Sequence, residues 1–205
     1  MIKVKVCGIT NPEDGAFAAE VGANAVGLVF AESPRRIGAE EARKITTALP
    51  NDVLKVGVFV NEEPKTVLRI AAEAGLDYVQ LHGDESPETV TFLQEGGVKI
   101  IKALRVRDAS ALEALQRYDA DLFLLDAYSE RARGGTGERF DWGLAKALKH
   151  CDNILVSGGL TPENVREAVR FFEPYGVDAS SSLEDTPGKK NKEQVRRFVS
   201  AAKGY

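Results

Sequence analysis

Cys7 and Asp126 are the residues whose chemistry and position single them out. Each closes a short apolar run, Cys7 that of Lys3–Cys7 and Asp126 that of Leu122–Asp126. A thiol and a carboxyl group both carry protons, and a cysteine that ionises is a base. Each also has a plainer reading. A solitary cysteine usually packs as a small hydrophobe. An aspartate after Leu122-Phe123-Leu124-Leu125 is either a site residue or half of an ion pair, since unpaired carboxylates are rarely buried. Two further stretches suit an anion. Ser157-Gly158-Gly159-Leu160-Thr161-Pro162 leads from an apolar run into a helical pattern. Glycine there lets a ligand approach the backbone, and a helix N-terminus offers free N–H groups. Ser180-Ser181-Ser182 adds hydroxyl donors after the next run. Either stretch alone could be an ordinary turn; as neighbours they suit a phosphate.

These residues need a scaffold that gathers them. Eight apolar runs alternate with helix-period segments: Lys3–Cys7, Ala25–Phe30, Leu54–Val60, Tyr78–His82, Lys99–Leu104, Leu122–Asp126, Ile154–Ser157 and Gly176–Ser180. Such alternation predicts a parallel sheet. The helical segment after Lys99–Leu104 is the weakest. Asn11-Pro12-Glu13, Ser86-Pro87-Glu88 and Thr161-Pro162-Glu163 each offer an N-cap, a proline at the first helical position and an acid suited to the helix dipole. Gly22-Ala23-Asn24-Ala25, Gly75-Leu76-Asp77-Tyr78 and Gly176-Val177-Asp178-Ala179 read as echoes of one βα unit, as in a reiterated barrel. Eight units in 205 residues is about 26 residues each, near the lower limit for a closed barrel. An open doubly wound sheet is the rival. A dinucleotide-binding one would carry a glycine triplet after strand 1, where this chain has Cys7-Gly8-Ile9-Thr10. The expectation is an α/β chain with residues 1–205 forming one (βα)8 barrel. Side chains alternate along a strand, so Lys3, Lys5 and Cys7 share the inner face, as do Leu122, Leu124 and Asp126. Cys7 and Asp126 then meet at the C-terminal mouth, where such barrels place their chemistry and, after strands 7 and 8, their phosphate. The polar loop Tyr128–Gly137 is either a mobile lid or an irregular surface loop.

Composition removes other classes. Apolar residues make up 43% and charged residues 28% of the chain, an ordinary globular balance. Net charge is −4 with no basic stripe, which argues against nucleic acid. No apolar run approaches the roughly 20 residues that span a bilayer. The start, Met1-Ile2-Lys3-Val4, reads as a strand and lacks the pattern of a signal peptide. Two cysteines at no metal-like spacing suggest cytoplasmic free thiols. His82 and His150 are too few and too scattered for a histidine metal site.

Several local motifs converge on one family. Lys5-Val6-Cys7-Gly8-Ile9-Thr10, Ser33-Pro34-Arg35, Val58-Phe59-Val60-Asn61 and Gln80-Leu81-His82-Gly83 occur in that order. They are followed by Leu124-Leu125-Asp126, Gly134-Gly135-Thr136-Gly137, Phe140-Asp141-Trp142, Ser157-Gly158-Gly159-Leu160, Val177-Asp178-Ala179-Ser180-Ser181 and Pro187-Gly188-Lys189-Lys190. Together they resemble the phosphoribosylanthranilate isomerases, TIM-barrel enzymes of tryptophan biosynthesis. The resemblance implies a cofactor-free and metal-free Amadori rearrangement on a small phosphosugar, by a cytoplasmic monomer or homodimer. It implies Cys7 as general base and Asp126 as general acid. Arg35 would hold the anthranilate carboxylate, with Arg36 the less favoured candidate. Gly158, Gly159, Ser180 and Ser181 would cradle the phosphate. His82 and Asp178 fall at further substrate-side positions. One departure is Ser182, where the family usually has glycine, which raises the question of a backbone conformation that serine dislikes. Lys5 lies one layer below Cys7 and would need a partner; the inward Asp178 on the neighbouring strand 8 predicts a partly buried ion pair. A histidine-pathway isomerase typically has aspartate in place of Cys7. A metal-dependent pentose-phosphate epimerase would want more histidines. An idle phosphosugar-binding barrel would keep the phosphate loops without needing both Cys7 and Asp126.

Overall fold

The computed structural model describes residues 1–105, 110–126 and 152–204. Its central feature is a closed barrel of parallel strands in sequence order. They are β1 (Lys3–Cys7), β2 (Ala25–Val29), β3 (Leu54–Phe59), β4 (Tyr78–Leu81), β5 (Lys99–Arg105), β6 (Leu122–Asp126), β7 (Ile154–Ser157) and β8 (Gly176–Ala179). β8 closes onto β1, with Lys5 opposite Asp178 and Val6 opposite Ala179. The described helices are α1 (Pro12–Glu20), α2 (Ala39–Ala48), α3 (Pro64–Ala74), α4 (Pro87–Glu95), α5 (Ser110–Arg117), α6 (Val165–Phe172) and α7 (Lys192–Lys203). A 3-10 turn, Ser181–Leu183, follows β8 and leads into a short hairpin, β9 (Glu184–Thr186) and β10 (Lys189–Lys190). No described helix is long and apolar enough to cross a membrane.

Both sheet faces are mostly apolar, as a parallel sheet under helices requires, apart from buried polar residues such as Lys5, Gln80, Lys102 and Asp178. Val4, Val6, Val26, Leu28, Val79 and Val177 join the cluster under the helices. Ala25, Val56, Ile101, Ala103, Leu122, Leu124 and Leu155 fill the barrel interior. The strand parities expected for β1 and β6 therefore hold, and they leave Cys7 and Asp126 pointing into the C-terminal mouth.

Two of the three sequence echoes have a common physical role. Asn24 accepts the Val4 N–H at 3.0 Å, and Asp77 accepts the Lys55 N–H at 2.8 Å. Each side chain thus ties the start of one strand to the approach of the next. Asp121 does the same for Ile100, at 2.8 Å, without a preceding glycine. The third supposed echo is a different structure: Gly176 begins β8, and Asp178 lies inside the barrel. Asn11 and Ser86 cap α1 and α4 as expected, each followed by proline. Thr161-Pro162-Glu163 does not start α6. Asn164 folds back to accept the Thr161 N–H at 2.8 Å, and the helix begins at Val165, one turn late. The candidate lid Tyr128–Gly137, Phe140-Asp141-Trp142, His150 and Cys151 lie outside the described residues.

Candidate active site

Cys7 ends β1, and the chain turns sharply behind it. The N–H groups of Gly8 and Ile9 both donate to Gly27 O at 2.9 Å, and Gly8 has φ +77°. A side chain at Gly27 would place its Cβ 2.5 Å from Cys7 Sγ, so the glycine makes room for the thiol. One layer below, Lys5 Nζ meets Asp178 Oδ1 at 2.9 Å. The expected pair is present but more deeply buried than predicted, with side-chain exposures of 2% and 7%. Asp178 also accepts from Ser157 Oγ at 3.2 Å. Burial pulls the Lys5 ammonium toward neutrality, but Asp178 and Cys7 outweigh it and hold its pKa above the ordinary range. Burial pushes the Cys7 thiol up. The Lys5 charge opposes that rise, Asp178 adds to it, and Lys190 opposes it more weakly; the balance leaves Cys7 raised.

Asp126 ends β6 beside Ser157 of β7 and Arg105 of β5. Its Oδ2 lies 3.3 Å from His82 Nε2, and His82 Nδ1 lies 2.8 Å from Gln80 Nε2. His82 follows β4, where its loop is braced from behind. Glu85 accepts the N–H groups of Asn61 and Gly83 and pairs with Lys102 Nζ at 2.9 Å. Cys7, Asp126, His82 and Asp178 line one cavity of about 430 Å³ together with Gly158, Gly159, Ser180 and Ser181. Gly158 and Gly159 both take left-handed conformations, φ +91° and +69°, which L side chains seldom adopt. Ser182 does not share that need. Among the described residues only Asn61 and Glu173 are non-glycine residues with positive φ. Ser182 instead sits in the 3-10 turn, and its hydroxyl donates to Leu160 O at 2.5 Å, joining the loop after β8 to the loop after β7. With α6 starting late, these two loops and the start of the 3-10 turn line this end of the cavity. Among the described residues no three His, Cys, Asp or Glu side chains cluster as a metal site.

A family model for N-(5'-phosphoribosyl)anthranilate isomerase matches residues 4–201. The chain belongs to that family. It is 65% identical to the N-(5'-phosphoribosyl)anthranilate isomerase of Rubrobacter xylanophilus over 99% of this chain and all of the relative. A crystal structure of phosphoribosyl anthranilate isomerase in complex with reduced 1-(o-carboxyphenylamino)-1-deoxyribulose 5-phosphate is 42% identical, with a TM-score of 0.90 over the full length of both chains. Monomers generated from the dimeric Thermotoga maritima isomerase are 41% identical, with a TM-score of 0.89 and the same coverage.

Of the sequence candidates, Arg35 stands apart. It does not line the cavity. Its Nε and Nη2 form a fork on Glu184, with contacts of 2.8, 3.1 and 2.6 Å. Its Cδ crosses above Gly8, where a Cβ would come within 2.6 Å. Glu184 also takes Lys190 Nζ at 2.7 Å, and Lys190 reaches Ser180 O at 3.2 Å. Burial pushes the Glu184 carboxyl up, but Arg35 and Lys190 outweigh it and keep it below the ordinary range. Arg36, the less favoured candidate, is exposed. Sequence reasoning gave no role to Glu184, Lys190, Gln80 or Glu85. A signal existed for Gln80: alternation along Tyr78–Leu81 places it on the inner face, as a polar residue facing Cys7 and Asp126. The hairpin that carries Glu184 and Lys190 is too short to show any period.

Proposed function

We propose that residues 1–205 form one catalytic domain that isomerises N-(5-phosphoribosyl)anthranilate to 1-(2-carboxyphenylamino)-1-deoxyribulose 5-phosphate. Cys7 is the base and Asp126 the acid. The observation that carries this reading is the convergence of the two side chains, from the ends of β1 and β6, on one cavity that also holds the glycine and serine loops. The cavity volume falls in the usual range for a small-molecule site. The phosphate binds between Gly158-Gly159 and Ser180-Ser181, which aims the sugar at the thiol and carboxyl groups. Asp126 delivers its proton to the ring oxygen as the bond from that oxygen to the first sugar carbon breaks. The anthranilate nitrogen supplies the electron pair for the new C=N bond. Cys7, as thiolate, removes the proton from the second carbon. That C–H pair becomes the C=C bond of an enolamine, and nitrogen recovers its lone pair. Protonation of the first carbon and loss of the hydroxyl proton then give the ketone. The steps need no oxidant or reductant, and a cytoplasmic setting goes with them.

The roles of the surrounding residues follow. Lys5 keeps a positive charge beneath Cys7 and favours the thiolate. Glu184 occupies the Nε edge of Arg35, which leaves the edge between Nη1 and Nη2 for a substrate carboxylate. The test is to follow the fluorescence of N-(5-phosphoribosyl)anthranilate with purified protein. Consumption with formation of the ketose supports the reading. Tight phosphosugar binding without turnover would make the chain a binding barrel instead.

A further inference from the structure

We infer that Gln80 is a positioning residue whose side-chain amide sets which nitrogen of His82 carries a proton, and so whether the His82–Asp126 pair holds the proton that the reaction needs. The inference rests on Asp126 being the acid.

Gln80 lies on the inner face of β4 and is 1% exposed. Its Nε2 is 2.8 Å from His82 Nδ1, whereas its Oε1 is buried without a hydrogen-bond partner. The next link of the chain, His82 Nε2 to Asp126 Oδ2, is 3.3 Å. An amide NH2 only donates, so Nδ1 must present a lone pair to it. The neutral ring then carries its proton on Nε2 and donates it to Asp126, which is a bare carboxylate. In that state the pair has no proton to give.

A half-turn of the amide reverses the pattern. Oε1 only accepts, so Nδ1 must carry a proton. The 3.3 Å link then needs a second proton, on Asp126 or on Nε2. The pair now holds one proton more than before. The amide therefore faces the ring with oxygen when the acid is loaded and with nitrogen when it is spent. In both states one end of the amide is left over. In the present arrangement that end is Oε1, which is buried beside the cavity that Gln80 helps to line. Among the described residues, the titratable groups around these three side chains are Cys7 on β1, Arg105 beside Asp126 on β5, Asp178 on β8, and the Lys102–Glu85 pair, whose members bond the backbone on either side of His82. The ring nitrogens themselves are held by Gln80 and Asp126.

The test reads the ring directly. The chain has two histidines, so His150→Gln leaves one ring to observe by 15N NMR. At one fixed pH at which the enzyme is active, the parent should show Nε2–H with an unprotonated Nδ1. Gln80→Glu places an acceptor at Nδ1, and the ring should then carry both protons at the same pH. Its kcat should fall about tenfold or more, because a fixed anion at Nδ1 cannot turn away and so retains the proton that Asp126 must deliver, with KM within roughly twofold because phosphate and carboxylate contacts lie elsewhere. Gln80→Met provides a second, uncharged variant. It should retain the parent's melting temperature within a few degrees and show a mixture of ring tautomers. Identical ring spectra in the parent and both variants would overturn the inference. A doubly protonated ring in Gln80→Glu with undiminished kcat would instead overturn the role of Asp126 on which it rests.

Discussion

Removal of Glu184 separates a stabilising role from a catalytic one. Its carboxylate is 3% exposed and sits between the Arg35 guanidinium, 19% exposed, and the Lys190 ammonium, 1% exposed. Glu184→Ala leaves two cations facing each other, with Lys190 keeping only its bond to Ser180 O. Removing one partner of a buried pair costs about 3–5 kcal/mol. Arg35 can relax toward solvent, so the lower end, about 3 kcal/mol, is expected. The kinetic effect comes from lost orientation. A hydrogen bond to a charged group contributes about 1.5–3 kcal/mol, and a freely rotating Arg35 would forfeit most of one in holding the substrate carboxylate. KM should therefore rise on the order of 10- to 100-fold, at 1.4 kcal/mol per factor of ten. The kcat should stay within about threefold, since Lys190 influences the Cys7 thiol less than burial, Lys5 and Asp178 do. Steady-state fluorescence kinetics at several substrate concentrations separate the two, and urea melts give the stability. Arg35→Ala should raise KM similarly. A Glu184→Ala enzyme with unchanged KM beside an impaired Arg35→Ala enzyme would refute the orienting role. If Arg36→Ala weakens binding and Arg35→Ala does not, the carboxylate ligand is Arg36.

Two further perturbations probe the base and the phosphate loops. Burial holds the Cys7 thiol above its ordinary range despite Lys5, and the thiolate is the active form. The kcat/KM should accordingly fall with decreasing pH and keep rising past ~8.5, the usual cysteine value; Lys5→Met should move that limb further to the alkaline side, and a flat profile from about pH 7 to 9 would contradict it. Ser182→Gly removes the hydroxyl that ties the loop after β8 to Leu160 O, worth about 0.5–1.5 kcal/mol. Inorganic phosphate should bind roughly 2- to 10-fold more weakly by calorimetry, and tighter binding would mean that serine had strained the loop after all.

Local patterning made the barrel legible. β1, β6 and β7 fall where the apolar runs predict, and β2, β3, β4 and β8 each stop one residue short. His82 and Ser180, just past two of those ends, line the cavity at the mouth: His82 still donates its N–H to Phe59 O, yet its ring serves Asp126. Inward parity at Cys7 and Asp126, and the pairing of Lys5 with Asp178, follow from a two-residue period and the closure of strand 8 onto strand 1. The Arg35–Glu184 fork did not follow, because it joins residues 149 positions apart through a loop and a hairpin without periodicity. The delayed start of α6 was hidden because Thr161 and Asn164 are both good caps, and only the fold decides which one the chain uses. Ser182 looked like a misplaced glycine position until its ordinary backbone and its bond to Leu160 were visible.

The central claim is that Cys7 takes the proton from the substrate's second carbon, and the turnover of Cys7→Ala on N-(5-phosphoribosyl)anthranilate tests it most directly. Loss of a positioned base should lower kcat by about 100- to 10,000-fold. Substrate binding should stay largely intact, and Cys7→Ser should be nearly as poor, because a hydroxyl forms little anion near neutral pH. A Cys7→Ala enzyme that turns over at close to the parent rate would contradict the mechanism, even with the barrel and both phosphate loops unchanged.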